Sequence, residues 1–234
     1  MKRAVPWAAR FMLIITNRME VLSLPERISL SEGSLSPAEA TLARRLRPVL
    51  DAMEALQGRE RLLLAIDGPC GSGKTTLAAL LCRILSCPCV HMDDFHIPHA
   101  RKTPERMAQP GGNSDRERLM AEVLLPWREG RSVTYRPYDC AADGPGNPIS
   151  LPASRVLVLE GSYAHHPDLA RLTDVSVFVR VEREEQLRRI ADRSPEKLQQ
   201  FIDRWIPLED SYFRAFHLPA PGSVVVDNGP VQGM

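Results

Sequence analysis

The sequence predicts an α/β protein of the P-loop NTPase type, in three layers: a five-stranded parallel sheet with helices on both faces. Three observations carry this expectation. Short apolar runs typical of strands covered on both faces occur at residues 62–66, 89–92, 156–159, 175–179 and 224–226. Helical patterns or long connections separate them, as parallel strands require. The first run leads straight into Gly68-Pro69-Cys70-Gly71-Ser72-Gly73-Lys74-Thr75-Thr76, which fits GxxxxGK[ST] in the strand, loop, helix setting that gives the motif its meaning.

The elements follow in order. Residues 1–36 show no sustained periodicity and are read as an N-terminal extension, with a P-loop domain expected over 37–234. The start, Met1-Lys2-Arg3 and an apolar stretch to Ile15, has the outline of a secretory signal. Arg10 interrupts it, Arg18 follows, and no small-residue cleavage site is found. No stretch reaches the roughly 18 apolar residues of a membrane span, so a cytoplasmic protein with no membrane partner is expected. Ser36 and Pro37 suit a cap and a first helical position, and Leu42, Leu46, Val49, Leu50, Met53 and Leu56 share one face of a helix over 37–57 that Pro48 divides. The helix after the P-loop should end near Leu85. Residues 97–113 read as a loop, and Ser114 with Glu117 as a capping box for a helix bearing Leu119, Met120, Val123 and Leu124. Residues 133–138 are β-like, and 141–154, rich in Gly and Pro, read as surface loop. A charged helix over 184–193 and a helix carrying Leu198, Phe201, Ile202 and Trp205, ending near Pro207, precede the last strand.

At 234 residues, with 44% hydrophobic and 25% charged residues, the composition suits one α/β domain with additions. A net charge of +1 argues against a nucleic-acid partner, and a homo-oligomer is left open. The 5 cysteines are odd in number and one lies in the phosphate loop, so no structural disulfide is expected. Cys87-Pro88-Cys89 lacks a second pair at ligand spacing and reads as the entry to a strand.

The chemistry starts from residue types. Gly68, Gly71 and Gly73 let the backbone turn tightly and aim its N–H groups at anionic oxygens, aided by the positive end of the following helix. Lys74 would reach the β- and γ-phosphates of ATP, and the Thr75 hydroxyl would hold Mg²⁺. Open parallel sheets bind ligands beyond the carboxyl ends of their strands. Those ends deliver Asp93 and Asp94, Glu160, and Asp227 with Asn228, the last a candidate for the nucleotide-binding set. One carboxylate of the Asp93-Asp94 pair would take a proton from an attacking hydroxyl while lying near the metal, and Glu160 would hold Mg²⁺ directly or through water. His91 reads as a core histidine and His96 as a candidate for the acceptor pocket. Residues 180–195 hold five arginines. They suit a solvated helix, or a lid whose Arg189 and Arg193 neutralise the transferring group.

Together, residues 68–75, Asp93-Asp94-Phe95, Tyr135-Arg136-Pro137-Tyr138-Asp139, Glu160-Gly161 and Arg188-Arg189-Ile190-Ala191-Asp192-Arg193 resemble the uridine kinase family of P-loop kinases, over about residues 60–230. The resemblance implies ATP-dependent phosphorylation of a nucleoside 5′-hydroxyl. It implies Asp93 as the base, Glu160 as the acid near the metal, and Tyr138 and Asp139 in the nucleoside pocket. Asp94 and His96 stand where the family carries Ser and Tyr, and Cys140-Ala141-Ala142 where it carries an aromatic and a histidine that contact the base. Reaction type is therefore better grounded than uridine as acceptor, and another hydroxyl compound or a nucleotide stays open. A P-loop switch that binds a partner is the reading from another class. Against it, no Asn-Lys-x-Asp guanine motif occurs, and Glu160 is not preceded by an aspartate.

Overall fold

The computed structural model describes residues 35–230, so the expected extension over residues 1–36 lies almost wholly outside the described residues. Five strands, β1 (Leu62–Asp67), β2 (Cys89–His91), β7 (Val156–Glu160), β8 (Val175–Arg180) and β9 (Val224–Asp227), form one parallel sheet in the order β2-β7-β1-β8-β9. All six residues of β1 are buried, as its apolar run requires. Alternation along β1 sends Leu62, Leu64 and Ile66 to one face and Leu63 and Ala65 to the other.

The first face is covered by α1 (Pro37–Arg45), α2 (Arg47–Glu54) and α3 (Lys74–Leu85). Ser36 caps α1 reciprocally: its Oγ accepts from the Glu39 N–H at 3.3 Å and its own N–H donates to Glu39 Oε2 at 2.8 Å. The break at Leu46 falls just before Pro48, whose ring cannot continue the ladder. Leu46, Val49, Leu50 and Met53 lose essentially all their surface against Leu77, Leu81 and the sheet. Each such burial is worth about 1.5–3 kcal/mol, so packing rather than propensity holds this short pair.

The second face is covered by two helices that each contain a π turn. In α4 (residues 116–128) the π turn spans Met120–Leu124, and in α6 (residues 198–215) it spans Phe201–Trp205. In both, a proline follows two residues later, Pro126 and Pro207. The widened turn relieves the clash between a proline ring and the carbonyl four residues back. This corrects the expectation that the last helix ends near Pro207, for it runs on to Ala215 and delivers Glu209 and Tyr212. The capping expectation at Ser114 is also corrected. Asp115 caps α4 by accepting from the Arg118 N–H at 3.3 Å, while Glu117 is drawn to Arg106 at 2.9 Å. The loop expected over 141–154 contains β5 (Gly144–Pro145), paired with β4 (Tyr138–Asp139), and β6 (Ile149–Leu151), paired with β3 (Val133–Tyr135). The charged helix is α5 (Arg183–Arg193). Among the described residues, no helix is long and apolar enough to cross a membrane.

Between β7 and β8 the chain places Tyr163 and His166 against α6. Tyr163 meets Tyr212 edge to face at 4.9 Å, and His166 meets Phe216 likewise at 4.9 Å. His166 Nδ1 accepts from the Asp168 N–H and starts the turn Pro167–Ala170. Burial, with Arg116 beside it, pushes His166 down to about 4 from its ordinary 6.5. The folded form stays neutral while the unfolded chain protonates. Stability is therefore complete above the unfolded value and is lost as pH falls from about 6.5 towards about 4. Urea midpoints should fall across that window, and His166→Asn, which keeps a capping acceptor, should flatten the fall.

Candidate active site

The register of the sheet brings the strand ends together. Ile66 pairs with Glu160, and Glu160 with His91, so the ends of β1, β7 and β2 form one row. From β1 the chain enters the phosphate loop with Gly68, Gly71 and Gly73 all at positive φ, between 73° and 144°. A Cβ on Gly68 would strike the Val179 carbonyl, and one on Gly73 would come within 2.5 Å of Asn228 Nδ2. Helix α3 has Gly73 at its N-cap and no capping side chain. Its first amides are thus left for a ligand at the positive end of the helix dipole.

Lys74 is buried, and its Nζ donates to the carbonyls of Gly68 and Pro69 at 2.7 and 3.0 Å, folded back over the cradle. Thr75 Oγ1 lies 3.3 Å from Glu160 Oε1. The Ser72 hydroxyl is buried with no hydrogen-bond partner. This donor set fits a magnesium-bound triphosphate: free amides and an ammonium for the phosphates, and a hydroxyl and a carboxylate side by side for a cation that usually also takes oxygens from the phosphates themselves. Among the described residues, no group of three His, Cys, Asp or Glu is arranged to hold a metal without such help.

His91 is not the core residue expected. Its side chain is 43% exposed, and Nδ1 lies 2.6 Å from Glu160 Oε1. That hydrogen bond raises its pKa against the lowering effect of burial. The apolar neighbours of His91 concealed a position at the strand end, where the sheet opens to solvent.

The acidic pair is split by a 3₁₀ turn, Met92–Phe95, which follows β2 and sends successive side chains in different directions. Asp93 is 86% exposed and lines a cavity of about 430 Å³ together with Lys74, Thr75, Glu160 and His96. Asp94 instead accepts from the Tyr135 hydroxyl at 2.7 Å. Burial first, and then Asp94, raise the Tyr135 pKa and keep it a donor. His96 Nε2 is 3.7 Å from Asp93 Oδ1, so the two share one wall. Tyr138 and Asp139 lie on the β4 ribbon and do not line this cavity. The Tyr138 hydroxyl donates to Asp143, and its ring meets His96 at 6.1 Å.

The arginines of α5 take separate tasks. Arg188 points to solvent and pairs with Glu185 and Asp192. Arg189 lines the cavity and is anchored on Glu185, the Ser72 carbonyl and the Asn228 carbonyl. Arg193 lines it over the Phe201 ring, 5.9 Å from the centroid. Helix α5 rests on the phosphate loop through Gln186, whose Nε2 donates to the Cys70 carbonyl at 2.8 Å. Asn228 does not line the cavity; its side chain bonds the back of the loop at the Ser72 carbonyl, 2.7 Å away.

Two buried acids escaped sequence reasoning. Asp67 accepts from the Gly68 and His165 amides and the Tyr212 hydroxyl, at 2.7, 2.9 and 2.7 Å. Glu209 accepts from the Cys70 N–H at 2.8 Å and the Ser162 hydroxyl at 2.5 Å, at the edge of the cavity. Burial, reinforced by Glu209, pushes the Cys70 thiol up to about 12, so it stays protonated. A signal for each was present: an acid closing an apolar strand, and an acid on the helical face shared by Trp205 and Tyr212.

No protein-family model matches the chain, and no curated protein matches it by sequence. Solved structures match it in fold. A possible uridine kinase from Bacillus stearothermophilus aligns with a TM-score of 0.62 at 24% identity, over 80% of this chain and 100% of that one. A candidate fructose transport system kinase from Silicibacter sp. TM1040 aligns with a TM-score of 0.57 at 23% identity, over 79% of this chain and 98% of that one. At these identities the likeness shows the P-loop fold that these kinases share. Gly68→Ala and Gly73→Ala should each cost on the order of 1–3 kcal/mol of stability, since each adds a clash at a φ that L-residues avoid. Urea unfolding of the two variants checks this.

Proposed function

We propose that this chain is an ATP- and Mg²⁺-dependent small-molecule kinase that phosphorylates a hydroxyl group, with a nucleoside 5′-hydroxyl as the leading acceptor. One observation supports it above the rest: Asp93 faces the cavity shared with Lys74, Thr75 and Glu160, while Asp94 is turned away and held by Tyr135. A binding switch has no need of an exposed carboxylate beside the phosphate loop, whereas phosphoryl transfer to an alcohol needs a group to take the proton.

In this reading the uncapped amides of α3 bind the phosphates, and Lys74 leaves the Gly68 and Pro69 carbonyls to pair with them. Thr75 and Glu160 are the residues that would hold Mg²⁺, which when bound neutralises phosphate charge. Asp93 accepts the proton of the acceptor hydroxyl as that oxygen attacks the γ-phosphorus and the bond to the β,γ-bridging oxygen breaks. Arg193 offsets charge on the transferring group from the lid side, and Arg189 does so while held on the loop. His96 is the acceptor-side residue that lines the cavity, with the Tyr138 ring behind it, while Asp94, held by Tyr135, and Asp139 stand outside. The nucleoside preference rests on the family resemblance and on the candidate uridine kinase among the structural matches, and a sugar is the second choice, with the candidate fructose transport system kinase among those matches. ATP as donor makes the cytoplasm the expected compartment.

ADP release should depend on one acceptor when the protein is incubated with ATP, Mg²⁺ and a panel of nucleosides and sugars; hydrolysis independent of acceptor would count against the kinase. Lys74→Ala should abolish turnover while the fold survives. Asp93→Asn should lose a factor on the order of 10² or more in kcat, with Asp94→Asn the milder of the two. The reverse order would move the base to Asp94.

A further inference from the structure

A residue of the first helix is linked to the back of the phosphate loop through one intermediary, Asn228. Arg45, the last residue of α1, donates from Nη1 to Asn228 Oδ1 at 2.5 Å and from Nη2 to the Gly229 carbonyl at 2.9 Å. Asn228, 6% exposed, donates from Nδ2 to the Ser72 carbonyl at 2.7 Å. The chemistry fixes which way this amide faces. A guanidinium only donates and a carbonyl only accepts, so the Asn228 oxygen must meet Arg45 and its nitrogen must meet Ser72. The second donor to the Ser72 carbonyl, Arg189 Nη1, is longer at 3.3 Å and has its Nη2 committed to the Asn228 carbonyl.

The peptide joining Ser72 to Gly73 is planar and trans, so its C=O and N–H point in opposite directions. Drawing the Ser72 carbonyl out towards Asn228 turns the Gly73 N–H in towards the cradle. We propose that Arg45 is a positioning residue for nucleotide binding, acting through Asn228 to hold the Ser72–Gly73 peptide in its anion-binding orientation. The inference rests on reading the loop as a nucleotide site. It assigns a part in ligand binding to a helix that touches no ligand, and it explains the glycine at position 73 a second time, since Asn228 leaves no room for a Cβ.

The experiment titrates the full-length protein with ADP and Mg²⁺ by calorimetry and pairs this with steady-state kinetics. Arg45→Ala should weaken ADP binding roughly tenfold and raise KM for ATP to match, with kcat and the acceptor KM within about twofold, because the Gly73 N–H serves ground state and transition state alike. Arg45→Gln, which keeps one donor, should recover part of the loss and serves if the alanine variant does not fold. Adding Arg45→Ala to Asn228→Ala should change ADP affinity no further, since the two act in series. Wild-type ADP affinity in the Arg45 variants, or losses that add in full, overturns the inference, as does a change in melting temperature alone. A wild-type protein that binds no ADP overturns the nucleotide reading itself, and this inference with it.

Discussion

Asp67 ties three separate parts of the molecule to one point. Its carboxylate ends the central strand, wholly buried, and is satisfied by the first amide of the phosphate loop, an amide of the β7–β8 connection and a hydroxyl from α6. A buried carboxylate is tolerated only with such partners, since a charge stripped of water and left unpaired costs more than any one of these bonds returns. The three segments are therefore bound to arrive together, and the cavity between them inherits its shape from that requirement. Glu209 repeats the arrangement one helical turn earlier on α6, engaging the Cys70 amide and Ser162.

The charges around the cavity divide by what already satisfies them. Asp67 and Glu209 are buried and spoken for, Glu160 is buried between Thr75 and His91, and Asp94 is held by Tyr135. Asp93 alone among these stands mostly in solvent. Arginines show the same sorting along α5, where Arg183 pairs with Asp210 of α6, Arg188 faces water, Arg189 is wedged on the loop and Arg193 lies over an aromatic ring. A helix that reads as a charged run thus presents several different environments, separated by angle about its axis and height along it.

Local signals were legible and remote ones were not. The five strands, the glycine-rich turn, the Ser36 cap and the break near Pro48 all follow from neighbours within a few residues. The bonds that shape the site join residues far apart in the chain, from Cys70 to Glu209, Asp67 to Tyr212 and Arg45 to Asn228. No period of 2 or 3.6 encodes such a pairing. His91 is hidden from a local reading for the same reason: its apolar flanks describe the strand, whereas its exposure depends on where β7 ends beside it. The Ser114 box failed because Asp115 offered a stronger acceptor one residue on and Arg106 captured Glu117.

The π turn at Phe201–Trp205 carries one residue more than an α-helical turn would hold. Removing one of those five residues would close the segment to an ordinary α-helical turn and leave the faces downstream where they are, because the wider turn absorbs its surplus residue. Pro207 would then press on the carbonyl the bulge now spares. The surplus residue therefore lets the helix carry a proline without rotating Glu209 and Tyr212 away from the loop and from Asp67, whereas a residue lost from the regular part of α6 would swing them by about 100°.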